Sequence, residues 1–154
     1  MIRSARIADR AAVEEIVRAA YAPYIERIGK PPGPMVDDYG KRIAEGAVSV
    51  VEAADGTLEA IVVLLPQPDH LLLDNIAVHP GRQGQGLGRR LVAFAESEAR
   101  RRGFGELRLY THEKMTENIR LYRRLGFVET GRGREAGYDR VFMTKRLVAD
   151  ANLP

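Results

Sequence analysis

Cysteine is absent from this 154-residue chain, which excludes disulfides, thiolate metal sites, iron–sulfur ligation and any cysteine-borne covalent intermediate. Long apolar runs are missing too. The longest, residues 60–66, falls far short of the roughly 20 residues a membrane helix needs, and the opening MIRSARIADR has no apolar signal core. A cytoplasmic protein with no membrane partner is therefore expected. Neither charge sign dominates: 24 Lys and Arg against 21 Asp and Glu leave +3, so nucleic acid is not an expected partner. The three histidines, His70, His79 and His112, have no metal-ligand spacing, and Ser4, Ser49 and Ser97 sit in no nucleophile-elbow context. No metal and no serine nucleophile are expected.

What is present is an ordinary folding composition, 45% hydrophobic and 29% charged, over a length that suits one domain. That domain is expected over residues 1–147, with 148–154 as a patternless C-terminal tail. Residues 2–7 read as a strand, and Asp9 as the cap of a helix over 10 to about 24. The segment 26–35, with Gly29, Pro31, Pro32, Gly33 and Pro34, reads as a stiff loop. A short helix over 36–45 follows. Strands over 47–54 and 57–65 flank Asp55-Gly56, a hairpin signal. Residues 71–78 form a third strand, apolar enough to suggest cover on both faces. A helix from 87 closes at Gly103, a strand covers 106–111, a helix 116–125, and two final strands 127–130 and 138–147.

The stretch LLLDNIAVHPGRQGQGLGRRL, residues 71–91, carries the most information. A strand ends at Pro80, a glycine-rich turn follows, and a helix begins. Gly81, Gly84, Gly86 and Gly88 let a ligand approach the backbone, and the helix start adds unpaired N–H groups, so the turn suits a phosphate or pyrophosphate. Arg82, Arg89 and Arg90 bring countercharge. The glycines alone also fit a turn that only connects strand to helix, so spacing must decide. No lysine or Mg²⁺-binding hydroxyl follows Gly86 as a Walker loop requires, and glycines at 84, 86 and 88 do not make G-x-G-x-x-G.

What fits is Q-x-x-G-x-G, present as Gln83-Gly84-Gln85-Gly86-Leu87-Gly88 after Ile76-Ala77-Val78-His79-Pro80. It resembles the coenzyme A-binding motif of the GNAT superfamily of N-acetyltransferases. A second block, residues 118–127 (NIRLYRRLGF), is similar to the later helix-to-strand signature of that superfamily. The resemblance implies a GNAT-like α/β (α+β) fold, with a mixed, mostly antiparallel central sheet flanked by about four helices. It also implies acetyl-coenzyme A as cosubstrate. The backbone of Ile76, Ala77 and Val78 would pair with the pantetheine arm, and the N–H groups of Gln83, Gly84, Gln85, Gly86, Leu87 and Gly88, with Arg89 beside them, would hold the pyrophosphate. Asn118 would lie near the coenzyme. Tyr122 would protonate the departing thiolate, and an N–H of Ala77 or Val78 would face the oxyanion.

The chain departs from that pattern at two points. Met115 stands seven residues before Tyr122 where many members have Asn, and Leu72 stands where some carry a glutamate base. Asp74, on the same strand face as Leu72, is the remaining candidate base, acting through water; capping of the following loop is the other reading of it. The segment 21–39 would wall the acceptor pocket, with Tyr24 and Tyr39 shaping it and Glu26, Asp37 and Asp38 attracting a cationic amine. The function expected is acetyl transfer to a primary amine, in a small molecule, by direct attack in a ternary complex. The alternatives are a coenzyme A-binding sensor without turnover, or an enzyme acting on a protein or peptide amine. Edge strands expected near 138–147 allow a homodimer.

Overall fold

The computed structural model describes residues 1–147, so the expected tail over 148–154 lies outside the described residues. Its strands are β1 (Ile2–Ser4), β2 (Val48–Glu52), β3 (Leu58–Pro66), β4 (Leu71–Val78), β5 (Glu106–His112), β6 (Val128–Glu135) and β7 (Tyr138–Arg146). Its α-helices are α1 (Arg10–Ile28), α2 (Tyr39–Ala44), α3 (Leu87–Arg101) and α4 (Thr116–Arg124). The strands form one sheet in the order β1-β2-β3-β4-β5-β7-β6. β4 runs parallel to β5, while β1–β2, β2–β3, β5–β7 and β6–β7 are antiparallel. The described residues pack as two compact units, one of Met1–Leu64 with Asp74–Leu91, the other of Leu65–Leu73 with residues 92–147.

In the first unit, α1 buries Val13, Ile16, Val17 and Tyr21, an i, i+3, i+4 stripe. The helix keeps Pro23 in its interior and runs four residues past the expected end. Proline there costs one intrahelical bond, but the helix stops only at Gly29, whose φ of 91° and N–H to the Ile25 carbonyl make a left-handed cap. Asp9 sits at the N-cap position but its side chain does not cap α1. It instead takes two bonds from the Arg3 guanidinium, at 2.8 and 3.1 Å, and one from the Arg6 amide at 2.7 Å. β1 is correspondingly short, because Ile7–Asp9 turns into a 3₁₀ helix. The expected stiff loop contains a second 3₁₀ turn, Gly33–Val36, and α2 starts only at Tyr39, where the Asp38 carboxylate caps the Lys41 amide at 3.1 Å.

β4 alternates strictly between buried Leu71, Leu73, Asn75 and Ala77 and partly exposed Leu72, Asp74, Ile76 and Val78. Cover on both faces, expected from its apolar run, is thus not what the strand has. Apolar side chains on the more open face concealed the period of two.

In the second unit, Leu107, Leu109, Val141 and Met143 are at most 2% exposed and form the core of the sheet there. β6 continues five residues past its expected end at 130, through Gly131 and Gly133, to a two-residue turn at Ala136-Gly137 with φ of 51° and 84°. This changes the edge. β7 pairs with β5 on one side and β6 on the other, so residues 138–147 are interior, and β6 is the terminal strand. The edge argument for a homodimer through 138–147 therefore fails.

Candidate functional site

β4 carries the candidate site residues of the first unit, beyond the point where its pairing to β5 stops. Its ladder to β5 covers Leu71, Leu72 and Leu73 only. Farther on, the His79 amide bonds the Glu59 carbonyl of β3 at 2.9 Å. Successive residues of a strand direct their backbone groups to opposite edges, so the odd-numbered residues face β3 and the even-numbered Ile76 and Val78 face the other, open edge. Ala77, expected to share in an oxyanion contact, has its N–H directed to β3; the open-edge donors are Ile76 and Val78.

The glycine turn follows directly. His79 caps the short turn Pro80–Arg82, its Nδ1 accepting from the Gly81 amide at 3.0 Å. Gln83, Gly84, Gln85 and Gly86 are exposed, and Leu87, 6% exposed, anchors the loop. Gly84 and Gly86 have φ of 82° and 78°, where a side chain is strained. The first bond of α3 runs from the Arg90 amide to the Gly86 carbonyl, which leaves the amides of Leu87, Gly88 and Arg89 without a carbonyl of the helix. Arg82 is drawn aside to Glu59 at 3.5 Å, while Arg89 and Arg90 are exposed beside the turn.

A group that sequence reasoning passed over links this strand to the helices. Asn75 is 3% exposed, and its Nδ2 donates to the Tyr39 hydroxyl at 2.9 Å. The Tyr39 hydroxyl in turn donates to the Pro34 carbonyl at 2.6 Å. On the other side, the Tyr21 hydroxyl lies 2.5 Å from Asn75 Oδ1 and 2.9 Å from the Ile76 carbonyl oxygen. The signal was legible: Asn75 is a polar residue at the buried parity of an apolar strand. Burial raises the Tyr39 hydroxyl well above its ordinary pKa, and the negative charges of Asp37 and Asp74 add to the shift. Asp74 thus stands in the same electrostatic neighbourhood as Tyr39 and Arg42.

The expected acceptor wall is brought together only in part. Tyr24 packs at a tilt on Tyr21, with ring centroids 6.4 Å apart, and carries the Arg27 guanidinium 4.9 Å over its own ring. Tyr39 lines a cavity of about 150 Å³ with Glu14, Val17, Arg18, Met35 and Asp37. Glu26 is exposed on α1, two residues beyond Tyr24. Of the carboxylates expected to attract a cation, Asp37 is bound to Arg42 at 3.1 Å and Asp38 is used as the α2 cap.

In the second unit, α4 presents Tyr122, 8% exposed. The Gly126-Phe127 step holds it. Gly126 turns at φ 98°, where a Cβ would come within 3.1 Å of Lys145. The Phe127 amide then bonds the Tyr122 carbonyl at 3.0 Å, and its ring meets Tyr122 edge-on at 5.7 Å. The Tyr122 hydroxyl makes no hydrogen bond among the described residues, and desolvation pushes its pKa up to about 12. Asn118 directs its amide at the Met115 sulfur, 3.7 Å away, which also receives the Thr111 hydroxyl at 3.6 Å. A concavity of about 570 Å³ lies on the sheet face of Leu72, Tyr110 and Phe142 and includes none of the expected site residues.

Comparison with known proteins bears on this arrangement. The acetyltransferase (GNAT) family matches residues 12–127. Streptothricin acetyltransferase of Streptomyces lavendulae is 37% identical over 90 residues, 57% of this chain and 48% of that protein. The ribosomal protein bS18-alanine N-acetyltransferase of Escherichia coli K12 is 37% identical over 75 residues, 49% of this chain and 51% of that one. The aligned part thus spans about half the length of these two curated relatives. Among solved structures, the Escherichia coli ribosomal-protein-S18-alanine N-acetyltransferase superposes with a TM-score of 0.75 at 26% identity, covering 100% of this chain and 98% of its own. The yncA protein of Salmonella typhimurium, solved with its cofactor acetyl-CoA, superposes at 0.72 and 26% identity, covering 100% and 97%. With its open β4 edge, its amide-rich turn and a family match over most of its length, the chain belongs to the GNAT acetyltransferase family.

Proposed function

We propose that the protein transfers an acetyl group from acetyl-coenzyme A to the primary amine of a small molecule, by direct attack with both substrates bound. The observation that carries this reading is the continuity of unsatisfied donors in the first unit. The open-edge amides of Ile76 and Val78 lead, past a Gln83 amide that bonds the Pro80 carbonyl at 3.4 Å, into the Gly84–Gly86 turn and then into the amides of Leu87, Gly88 and Arg89. Such a row suits a ligand with carbonyl groups at one end and a pyrophosphate at the other. Acetyl-coenzyme A supplies a thioester-activated acyl group. With no cysteine in the chain, direct transfer to the amine is the simplest route.

The chain's own residues then have distinct tasks. An amide on the open edge donates to the acyl oxygen as charge gathers there. Tyr122 holds its proton at neutral pH and delivers it from Oη to the departing sulfur. The burial that raises this hydroxyl raises a thiolate beside it as well, so the two remain matched. Asp74 is the candidate to take a proton, through water, from the acceptor ammonium, so that the neutral amine attacks the acyl carbon. Asn118 lies one helical turn before Tyr122 and is assigned to the coenzyme.

The test is isothermal titration with acetyl-coenzyme A, followed by a thiol-release screen over small amines and peptides with free N-termini. Binding with release from a small amine supports the reading. Release from peptides alone makes this a protein acetyltransferase, and binding without release from any amine supports a sensor. Absence of binding overturns the assignment. For Asp74→Asn, an unaltered pH–rate profile removes Asp74 as the base.

A further inference from the structure

The polar cluster around Asn75 lies behind the reacting edge, and its geometry has a direction. The Asn75 amide cannot be exchanged end for end without loss, because its Nδ2 serves a Tyr39 hydroxyl whose own proton is on the Pro34 carbonyl. Reversal would cost Pro34 its donor. The carboxamide oxygen is therefore held toward Tyr21, whose single hydroxyl proton is shared between Asn75 Oδ1 and the Ile76 carbonyl oxygen. Ile76 is one of the two residues whose backbone groups face the open edge.

An open strand edge offers donors and acceptors in alternation. An acyl oxygen gathering negative charge is stabilised by the N–H groups and opposed by an uncovered C=O among them. Both carbonyls at this point have side-chain donors. Tyr21 covers that of Ile76, and Gln83 Nε2 stands 3.4 Å from that of Val78.

We propose that Tyr21 is a positioning residue for the acyl group: its hydroxyl, anchored beside Asn75 and within hydrogen-bond distance of the Ile76 carbonyl, masks that acceptor and makes this stretch of the β4 edge one that presents donors. The proposal rests on β4 being the strand that receives acetyl-coenzyme A. Its effect is on polarisation of the thioester carbonyl, with little effect on affinity, since the pyrophosphate cradle is untouched.

The experiment uses acetyl-coenzyme A labelled with ¹³C at the thioester carbonyl, bound to the full chain, with affinity measured separately by calorimetry. In the wild-type protein the bound carbonyl resonance moves downfield of the free one. Tyr21→Phe binds within about threefold of wild type and loses a clear part of that downfield shift. Because Tyr21→Phe leaves Asn75 Oδ1 without its donor, a second variant guards against misfolding. Placing 3-fluorotyrosine at position 21 keeps the hydroxyl and strengthens it as a donor, and the resonance moves farther downfield. An unchanged resonance in a folded Tyr21→Phe, or no response to 3-fluorotyrosine, overturns the proposal and leaves the cluster a tie between helix and strand. Failure of the wild-type protein to bind acetyl-coenzyme A at all instead overturns the functional reading beneath it.

Discussion

Two buried tyrosines, one in each unit, are treated in opposite ways. Tyr39 is 3% exposed and its hydroxyl both donates, to Pro34, and accepts, from Asn75. Tyr122 is 8% exposed and its hydroxyl makes no hydrogen bond among the described residues. A buried tyrosine hydroxyl ordinarily finds a partner, because leaving it unmet costs about 1–3 kcal/mol. Tyr39 is thus tied to Asn75 and Pro34, whereas no described group engages the Tyr122 hydroxyl, as the general-acid role proposed for it requires. The same distinction separates Asp9, held by Arg3 and the Arg6 amide, from the amides at the start of α3.

Four measurements sharpen or break that contrast. The largest effect is expected for Gly86→Glu, which adds a side chain at φ 78° and a negative charge among the amides proposed to hold the pyrophosphate. Affinity for acetyl-coenzyme A should fall by at least about 1000-fold in calorimetry, and an affinity near wild type would mean that the turn only connects strand to helix. Next is Tyr122→Phe, expected to lower turnover about 100-fold with KM for acetyl-coenzyme A nearly unchanged, as for a general acid. Its thermal midpoint should not drop, since no hydrogen bond is lost. With the hydroxyl titrating at about 12, the wild-type rate should show no Tyr122 limb below pH 10.

Asn75→Ala tests the satisfied side. It leaves the Tyr21 and Tyr39 hydroxyls short of a partner, and urea unfolding should show a loss of about 2–3 kcal/mol. A loss as small as that of Tyr122→Phe would erase the contrast. The smallest effect belongs to Asp9. Its carboxyl is held down to about 2, chiefly by the hydrogen bond from Arg3, against an ordinary 3.8. The folded value is the lower one, so its stabilisation is present above about pH 4 and is lost as pH falls toward 2. Asp9→Asn should cost about 1 kcal/mol at pH 7, because the pair is near solvent, and should flatten stability across that acid window.

Much of this was legible in the chain. β4 is read at its observed limits, α3 starts at the expected Leu87, and the Gly126-Phe127 step is the feature that seats Tyr122. These elements are specified locally, by a run of β-formers, glycines at positive φ, and an amphipathic stripe closed by glycine. The acceptor side was less legible for a physical reason. Asp37, Asp38 and Glu26 look alike as free carboxylates, yet Arg42 neutralises the first, the Lys41 amide engages the second, and the third faces solvent. Partner choice of this kind depends on how α1 and α2 pack, which no local pattern encodes. The hairpin of β6 and β7 was misread at its near end because Gly131 and Gly133 weaken a strand signal that pairing with β7 overrides.

The residues by themselves determined the absence of cysteine chemistry, the glycine spacing of the turn after β4, the strand ahead of it and the tyrosine ahead of Gly126. Each follows from backbone freedom or side-chain chemistry at fixed positions, which sequence states directly. Only the tertiary structure decided that Ile76 and Val78, and not Ala77, offer their amides to the open edge. It alone decided that Asn75 joins Tyr21 to Tyr39, and that β7 is interior. Those facts follow from strand register and from contacts between residues tens of positions apart, where a shift of one residue reverses which groups face the ligand.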